Sequence, residues 1–245
     1  MSDRALTVLV HGPSKAGKTT FANTAPYPRL LLDVESASRF LNCVKVVWDP
    51  MREAPPVADG TWDTCIVYVR EYETVKKAYE WLQTGQHQFR SVIIDSISEL
   101  QVRCAEQIAG RGQMQTQHWG ELLRDMAGLC RDLRDLTMHA TNPLEAVVLT
   151  SMTRNQDDIW KPYLQGQLGI VIPYFWDITG YLYVDHEQPD PTVPPVEIRR
   201  LLTRKHPQYE AGERVGGRLP AVVDNPSIEQ MLDTIFGPRP EPQAS

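Results

Sequence analysis

The ten residues "HGPSKAGKTT", 11–20, constrain this chain more than any other stretch, because they follow directly on the apolar run "ALTVLV". Glycines at 12 and 17 let the backbone curl so that successive N–H groups point inward, a geometry that cradles an anion. The run before them reads as a buried strand, and the residues after them as a helix whose positive end faces the same point. Gly12, Pro13, Ser14, Lys15, Ala16, Gly17, Lys18 and Thr19 fit the phosphate-loop pattern G-x-x-x-x-G-K-[ST], and Thr20 continues into the helix. Lys18 brings mobile positive charge to the outer phosphates of a nucleotide, and the Thr19 hydroxyl is a ligand for Mg²⁺. A strand–loop–helix of this kind belongs in an α/β fold.

Two further stretches supply carboxylates. "RSVIIDSISEL" delivers Asp95 to the end of a buried strand, where it can hold Mg²⁺ through water; with Ser96 it could equally cap the helix that follows. "RLLLDVES" places Asp33 and Glu35 at the end of the strand after the P-loop helix, two residues apart and so on one side of the strand. A carboxylate there can orient and deprotonate the water that attacks a γ-phosphate. Glu35 is the favoured base; the other reading has both residues capping the next helix. The chain has no N-K-x-D sequence for selecting guanine, so ATP is the expected nucleotide.

Along the chain, β-type runs alternate with helical patterns. Strands are expected at "LTVLVHG", "RLLLDVE", "CVKVVWD", "TCIVYVR", "SVIIDS" and "EAVVLTSM", several of them apolar on both faces as in a parallel sheet. Helices are expected at "EYETVKKAYEWLQT", "SISELQVRCAEQIAG" and "ELLRDMAGLCRDLRDL", and a last one at "SIEQMLDTIF". "ITGYLYV" and "VEIRRLLTR" flank a Pro-rich connection and read as an antiparallel pair. The expected architecture is a three-layer α/β sandwich with a mostly parallel sheet and a C-terminal antiparallel hairpin: one domain over 1–236, then a disordered tail over 237–245.

Composition limits the function classes. With 25 basic and 31 acidic residues the formal charge is −6, which counts against coating of nucleic acid by bulk charge and leaves a local patch or nucleotide-dependent binding. No window is apolar for long enough to span a membrane, and "MSDRALTVLV" lacks the layout of a signal peptide. Cys43, Cys65, Cys104 and Cys130 have no metal-ligand spacing and read as reduced core thiols of a cytoplasmic protein. His11, His118 with Trp119, and Trp48, Trp62 and Trp176 read as packing residues.

The order "GPSKAGKTT", a short helix stopped by "APYP", "RLLLDVES", "SVIIDSISELQ", "HWGELLRDM" and "EAVVLTSMTR" is similar to RecA-related phage ATPases. More closely, over residues 5–236 the chain resembles the compact phage single-strand annealing ATPases that keep only the RecA core. "PYFWDITGYLYV" and "YEAGERVGGRLP" carry much of that likeness. The resemblance implies that Glu35 activates water and that Thr150 and Ser151 sense the γ-phosphate. It implies that residues 153–169 form a mobile DNA-facing loop, and that subunits associate into a ring or filament. Met152 stands where RecA has a glutamine, and Gly212 where many relatives have a lysine, which leaves Arg214 as a cation acting in trans.

Read from the residues themselves, the 153–169 segment combines Arg154 and Lys161 with Trp160 and Tyr163. That set suits stacking on unpaired bases, or an ordinary loop folded back on the core. "IRRLLTRK" concentrates Arg199, Arg200, Arg204 and Lys205, either as charge protecting an edge strand or as a source of cations for a neighbour's ATP site, with Arg204, Lys205 and Arg214 the candidates. The expected function is an ATP- and Mg²⁺-dependent ATPase that binds single-stranded DNA and promotes annealing or recombination, with a single-strand DNA-binding protein as a possible partner. The rivals are a nucleotide-dependent protein-docking switch and a small-molecule phosphotransferase.

Overall fold

Strand residues alternate between two helical layers, and this alternation builds the molecule. In β1 (Leu6–His11), all six residues are buried; Leu6, Val8 and Val10 point to one layer and Leu9 to the other. The computed structural model describes residues 4–110, 112–188, 192 and 194–239. After β1 come α1 (Lys18–Ala22), β2 (Arg29–Asp33), β3 (Lys45–Val47), β4 (Thr64–Tyr68) and α2 (Tyr72–Gln83). They are followed by β5 (Ser91–Asp95), α3 (Ile97–Ala109), α4 (Thr116–Asp135) and β6 (Ala146–Ser151). The rest of the chain forms β7 (Thr153–Gln156), β8 (Ile159–Pro162), α5 (Leu168–Val171), β9 (Ile178–Glu187), β10 (Val196–Leu202), β11 (Gly212–Glu213), β12 (Val222–Asp224) and α6 (Ile228–Phe236).

Among the described residues, ten strands form one sheet in the order β12-β10-β9-β1-β6-β5-β2-β4-β3, with β11 added against β9. From β9 to β3 every neighbour is parallel, whereas β10, β11 and β12 join antiparallel. Leu32, Val67, Ile94 and Leu149 pack with Val75, Leu100, Met126 and Leu133 of α2, α3 and α4. Leu31, Ile66, Ile93 and Val148 pack on the opposite face with Phe21 of α1 and with Ile228, Met231 and Leu232 of α6. The result is a mixed, largely parallel sheet between two helical layers.

Register brings the functional residues to one edge. His11 lies beside Ser151, and Asp33 beside Asp95, so β1, β6, β5 and β2 all end level. Ligands of open parallel sheets bind at this carboxyl edge. Because β6 lies between β1 and β5, its last residues stand between the phosphate loop and Asp95.

Several expectations change. Within the 153–169 segment, residues 153–162 form a two-stranded hairpin, and a loop remains only over 163–167: Arg154 lies opposite Lys161, and the turn is made by Asp157 and Asp158, both at positive φ. Aspartate tolerates that conformation, and a two-residue turn with both φ positive matches strand twist. β10 is an edge strand only in its first half, since β12 pairs with residues 200–202. Helix α4 starts at Thr116, where the Gln115 N–H donates to His118 Nδ1 at 3.2 Å, and Trp119 stays half exposed. Cys65, Cys104 and Cys130 are buried as expected, but Cys43 is only half-buried. Of the expected tail, residues 237–239 are tied down: Arg4 donates to the Gly237 carbonyl, and Arg239 pairs with Glu145 at 3.2 Å. Residues 240–245 lie outside the described residues.

Candidate nucleotide site and an adjoining cleft

The phosphate loop is shaped by two close approaches. A Cβ on Gly12 would stand 2.1 Å from the Leu182 carbonyl oxygen of β9, so only glycine lets the loop leave β1 there. Gly17, at φ 92°, is left-handed, and a Cβ on it would lie 2.6 Å from Arg199 Nε. Lys18 then opens α1 and folds back over the loop, donating to the carbonyls of Gly12 at 3.0 Å and Pro13 at 2.9 Å. Burial pushes its pKa down, while Glu35 and Asp95 pull it back up. An ammonium held this way, with partial desolvation, is ready to exchange carbonyls for phosphate oxygens.

Opposite the loop, Asp95 accepts from the Thr19 hydroxyl at 2.7 Å and from the Thr150 hydroxyl. Burial raises its pKa, and those two hydrogen bonds oppose the rise. Glu35 and Asp33 separate. Asp33 is buried, with its two oxygens accepting from the N–H groups of Ala37 and Ser38, each at 3.1 Å; it caps the short 3₁₀ turn that follows. Glu35 stays exposed at the cleft and accepts from the Ser96 hydroxyl. Ser96 also receives the Glu99 N–H at 3.3 Å, so the helix-capping role falls to Ser96 and leaves Asp95 to the cleft.

Together these groups line a cleft of about 760 Å³ bounded by Gly12, Lys18, Thr20, Glu35, Asp95 and Thr150. Pro13, Ser14, Lys15, Gly17 and Thr19 also reach it, whereas Ala16 is buried behind the loop. Of the two γ-phosphate candidates, Thr150 faces the cleft and holds Asp95. Ser151 turns away, meeting Ser98 at 3.0 Å and donating to the Met152 carbonyl. For a metal, the chain brings together one carboxylate and one hydroxyl, and among the described residues no cluster of three His, Cys, Asp or Glu could hold one. That donor set fits Mg²⁺, which keeps waters and takes its remaining ligands from phosphates.

The hairpin β7–β8 divides this cleft from a second one of about 610 Å³. Trp160 and Thr153 line the nucleotide cleft, while Arg154 and Lys161 line the second. Tyr163 lies under Arg154, 5.7 Å from guanidinium carbon to ring centroid, and its N–H donates to the Met152 carbonyl. Of the four residues expected to meet DNA, three are therefore split between two clefts, and Tyr163 lines neither.

The candidate trans cations have different fates. Arg204 pairs with the buried Glu213 at 2.5 Å, and Arg214 with Asp177 at 2.9 Å while also donating to the Tyr174 and Phe175 carbonyls. Both are committed within their own chain. Lys205 is exposed and lines the second cleft. Sequence reasoning passed over Arg199 as a site residue, although it lines the nucleotide cleft. It also took His11 for simple packing, whereas the ring joins three elements: Nδ1 meets Thr153 Oγ1 at 3.1 Å, and Nε2 meets the Glu210 carbonyl at 2.7 Å.

A buried parallel sheet, a phosphate loop at its carboxyl edge and an aspartate on a nearby strand define a P-loop nucleoside triphosphatase. The chain belongs to the AAA-domain family, whose model matches residues 4–215. No curated protein matches it. Membership carries nucleotide binding and hydrolysis in general terms. Among the described residues, no helix is long and apolar enough to cross a membrane.

Proposed function

We propose that this protein is a Mg²⁺-dependent ATPase of the RecA-related kind that binds single-stranded DNA and uses ATP to promote annealing or recombination. Lys18, the loop N–H groups and Thr20 hold the phosphates, Thr19 and Asp95 hold Mg²⁺, and Glu35 activates water. Bound there, Mg²⁺ supplies charge neutralisation on the outer phosphates. The observation that carries the DNA half is the shared hairpin: one face of β7–β8 contributes Thr153 and Trp160 to the nucleotide cleft, and the other contributes Arg154 and Lys161 to the second cleft. With Lys205 they bring three cations to a cleft that Asp177, Glu210 and Glu213 also line, Asp177 and Glu213 being paired with Arg214 and Arg204, and exposed Tyr174 adds a flat ring. In a ring or filament, Lys205 is the trans cation this geometry leaves available.

The test is the ATP hydrolysis rate across a titration of single-stranded DNA at low salt, with Lys18→Ala as the blank. Stimulation of a few-fold or more is expected, fading as salt rises because phosphate contacts release counterions. The double exchange Arg154→Glu with Lys161→Glu should abolish it. Hydrolysis indifferent to DNA would sink this reading and favour the protein-docking switch; phosphate appearing on a small acceptor would favour the phosphotransferase.

A further inference from the structure

We infer that Arg199 is a nucleotide-binding residue acting within its own chain, at the end of the nucleotide remote from the γ-phosphate. This rests on the P-loop reading above. The side chain lies directly against the loop, since a Cβ on Gly17 would meet its Nε at 2.6 Å, Cδ at 3.1 Å and Cζ at 3.5 Å. It lines the same cleft as Lys18, Thr19 and Thr20.

Strand period explains how it gets there. Side chains of β10 alternate between faces. Leu201 packs in the core under α1 and α6, so Arg199, two residues earlier, projects on the face that carries α1. Arg200 projects on the other face, where Asp185, Glu187 and Asp224 surround it. Adjacent arginines thus have unlike environments. The Arg199 backbone is fixed by Asn225, which donates its N–H to the Arg199 carbonyl at 2.6 Å and accepts the Arg199 N–H at 3.4 Å. Its guanidinium is held much less firmly. The ion pair it makes with Glu197 spans 3.4 Å between side chains 45% and 56% exposed, a kind that solvent screens. A fixed backbone beneath a lightly held guanidinium is what capture of an anionic ligand requires.

Topology sets which part of the nucleotide it meets. Glu35, Asp95 and Thr150 come from β2, β5 and β6, all on one side of β1; Arg199 comes from β10, beyond β9 on the other. When the outer phosphate faces Glu35, the inner phosphate, sugar and base lie toward Arg199. Those parts are common to ATP and ADP, so Arg199 contributes equally to both and not to the hydrolytic step.

The experiment measures binding of Mg-ATP and Mg-ADP by calorimetry, together with KM, kcat and Tm, for the full chain and for Arg199→Ala, Arg199→Lys and Lys18→Ala. Arg199→Ala is expected to weaken ATP and ADP alike by about tenfold and to raise KM in proportion. Expected alongside are a kcat within about twofold, an unshifted Tm and partial recovery in Arg199→Lys. Unchanged affinity in Arg199→Ala, while Lys18→Ala loses binding, overturns the inference and leaves the P-loop reading intact. A loss confined to ATP with a fall in kcat overturns the assigned position. A lowered Tm with no recovery in Arg199→Lys assigns the residue to structure alone. Normal binding by Lys18→Ala would overturn the P-loop reading, and this inference with it.

Discussion

Glu35→Gln is expected to lower ATP turnover about 10²–10⁴-fold, the usual contribution of a positioned general base, while ATP affinity stays within a few-fold. Glutamine keeps the shape of the side chain and its capacity to accept from the Ser96 hydroxyl, but it cannot take a proton. Three features single out this carboxylate. It stands two residues beyond Asp33, the register partner of Asp95 at the carboxyl end of β2, and its N–H donates to the Asp95 carbonyl at 3.3 Å. It remains accessible to water at the cleft, unlike Asp33, whose oxygens are both engaged. Its charge acts on Lys18, so it already belongs to the electrostatics of the phosphate loop. Single-turnover hydrolysis and equilibrium ATP binding separate the two effects. Ser96→Ala should cause a smaller fall, because the base is loosened but retained. Wild-type turnover in Glu35→Gln would mean that water is activated elsewhere, and a loss of binding equal to the loss of rate would make Glu35 a binding group.

Much of this site can be read in the sequence because its signals are local. The loop pattern needs only residues 12–19, and Asp95 needs only the apolar run before it. The division of labour between Asp33 and Glu35 is less legible: at spacing two they are equivalent on the strand, and the 3₁₀ turn at 37–40 decides between them by offering N–H groups to Asp33 alone. The hairpin at 153–162 had a signal that could have been found, since two consecutive aspartates between short β-type runs favour a turn with positive φ. Arg199 illustrates the limit. Alternation separates it from Arg200 in any reading, but which of the two faces meets the phosphate loop depends on β9 pairing with β1, a contact between residues about 170 apart with no local trace.

The stability of the protein should fall as pH drops from about 6.5 toward 4, and His11 should account for a large share. The imidazole is fully buried, edge-on to Tyr181 at 5.2 Å between centroids. Around it lie Thr153 of β7, the Glu210 carbonyl and the Lys18 charge. A carbonyl can only accept, so Nε2 carries the proton, which fixes one neutral tautomer; Nδ1 is then an acceptor facing the Thr153 hydroxyl, whose single proton the Lys161 carbonyl at 3.1 Å also draws on. Burial lowers the His11 pKa to about 4, with the Glu210 carbonyl opposing and Lys18 assisting. The sign follows from linkage: the unfolded chain takes up a proton near 6.5 and the folded chain does not until about 4, so acid favours unfolding across that window. The loss amounts to about 2 kcal/mol by pH 5 and roughly 3 kcal/mol below pH 4. In a chain of this size the loss at pH 5 corresponds to about 4–8 °C in Tm. His87 is also held down to about 4, by burial and then by His139, so wild type carries a second acid-sensitive site. Glu210 works in the other direction, because burial raises its carboxyl. The informative quantity is therefore the difference between wild type and His11→Gln. The variant loses the Thr153 bond and should be the less stable at pH 7.5, and the gap should narrow by about 2 kcal/mol at pH 5. Parallel stability curves would mean that the ring protonates as easily folded as unfolded. Convergence would make His11 the residue whose neutrality holds β1, the hairpin and the Glu210 segment together, one bond before the phosphate loop begins.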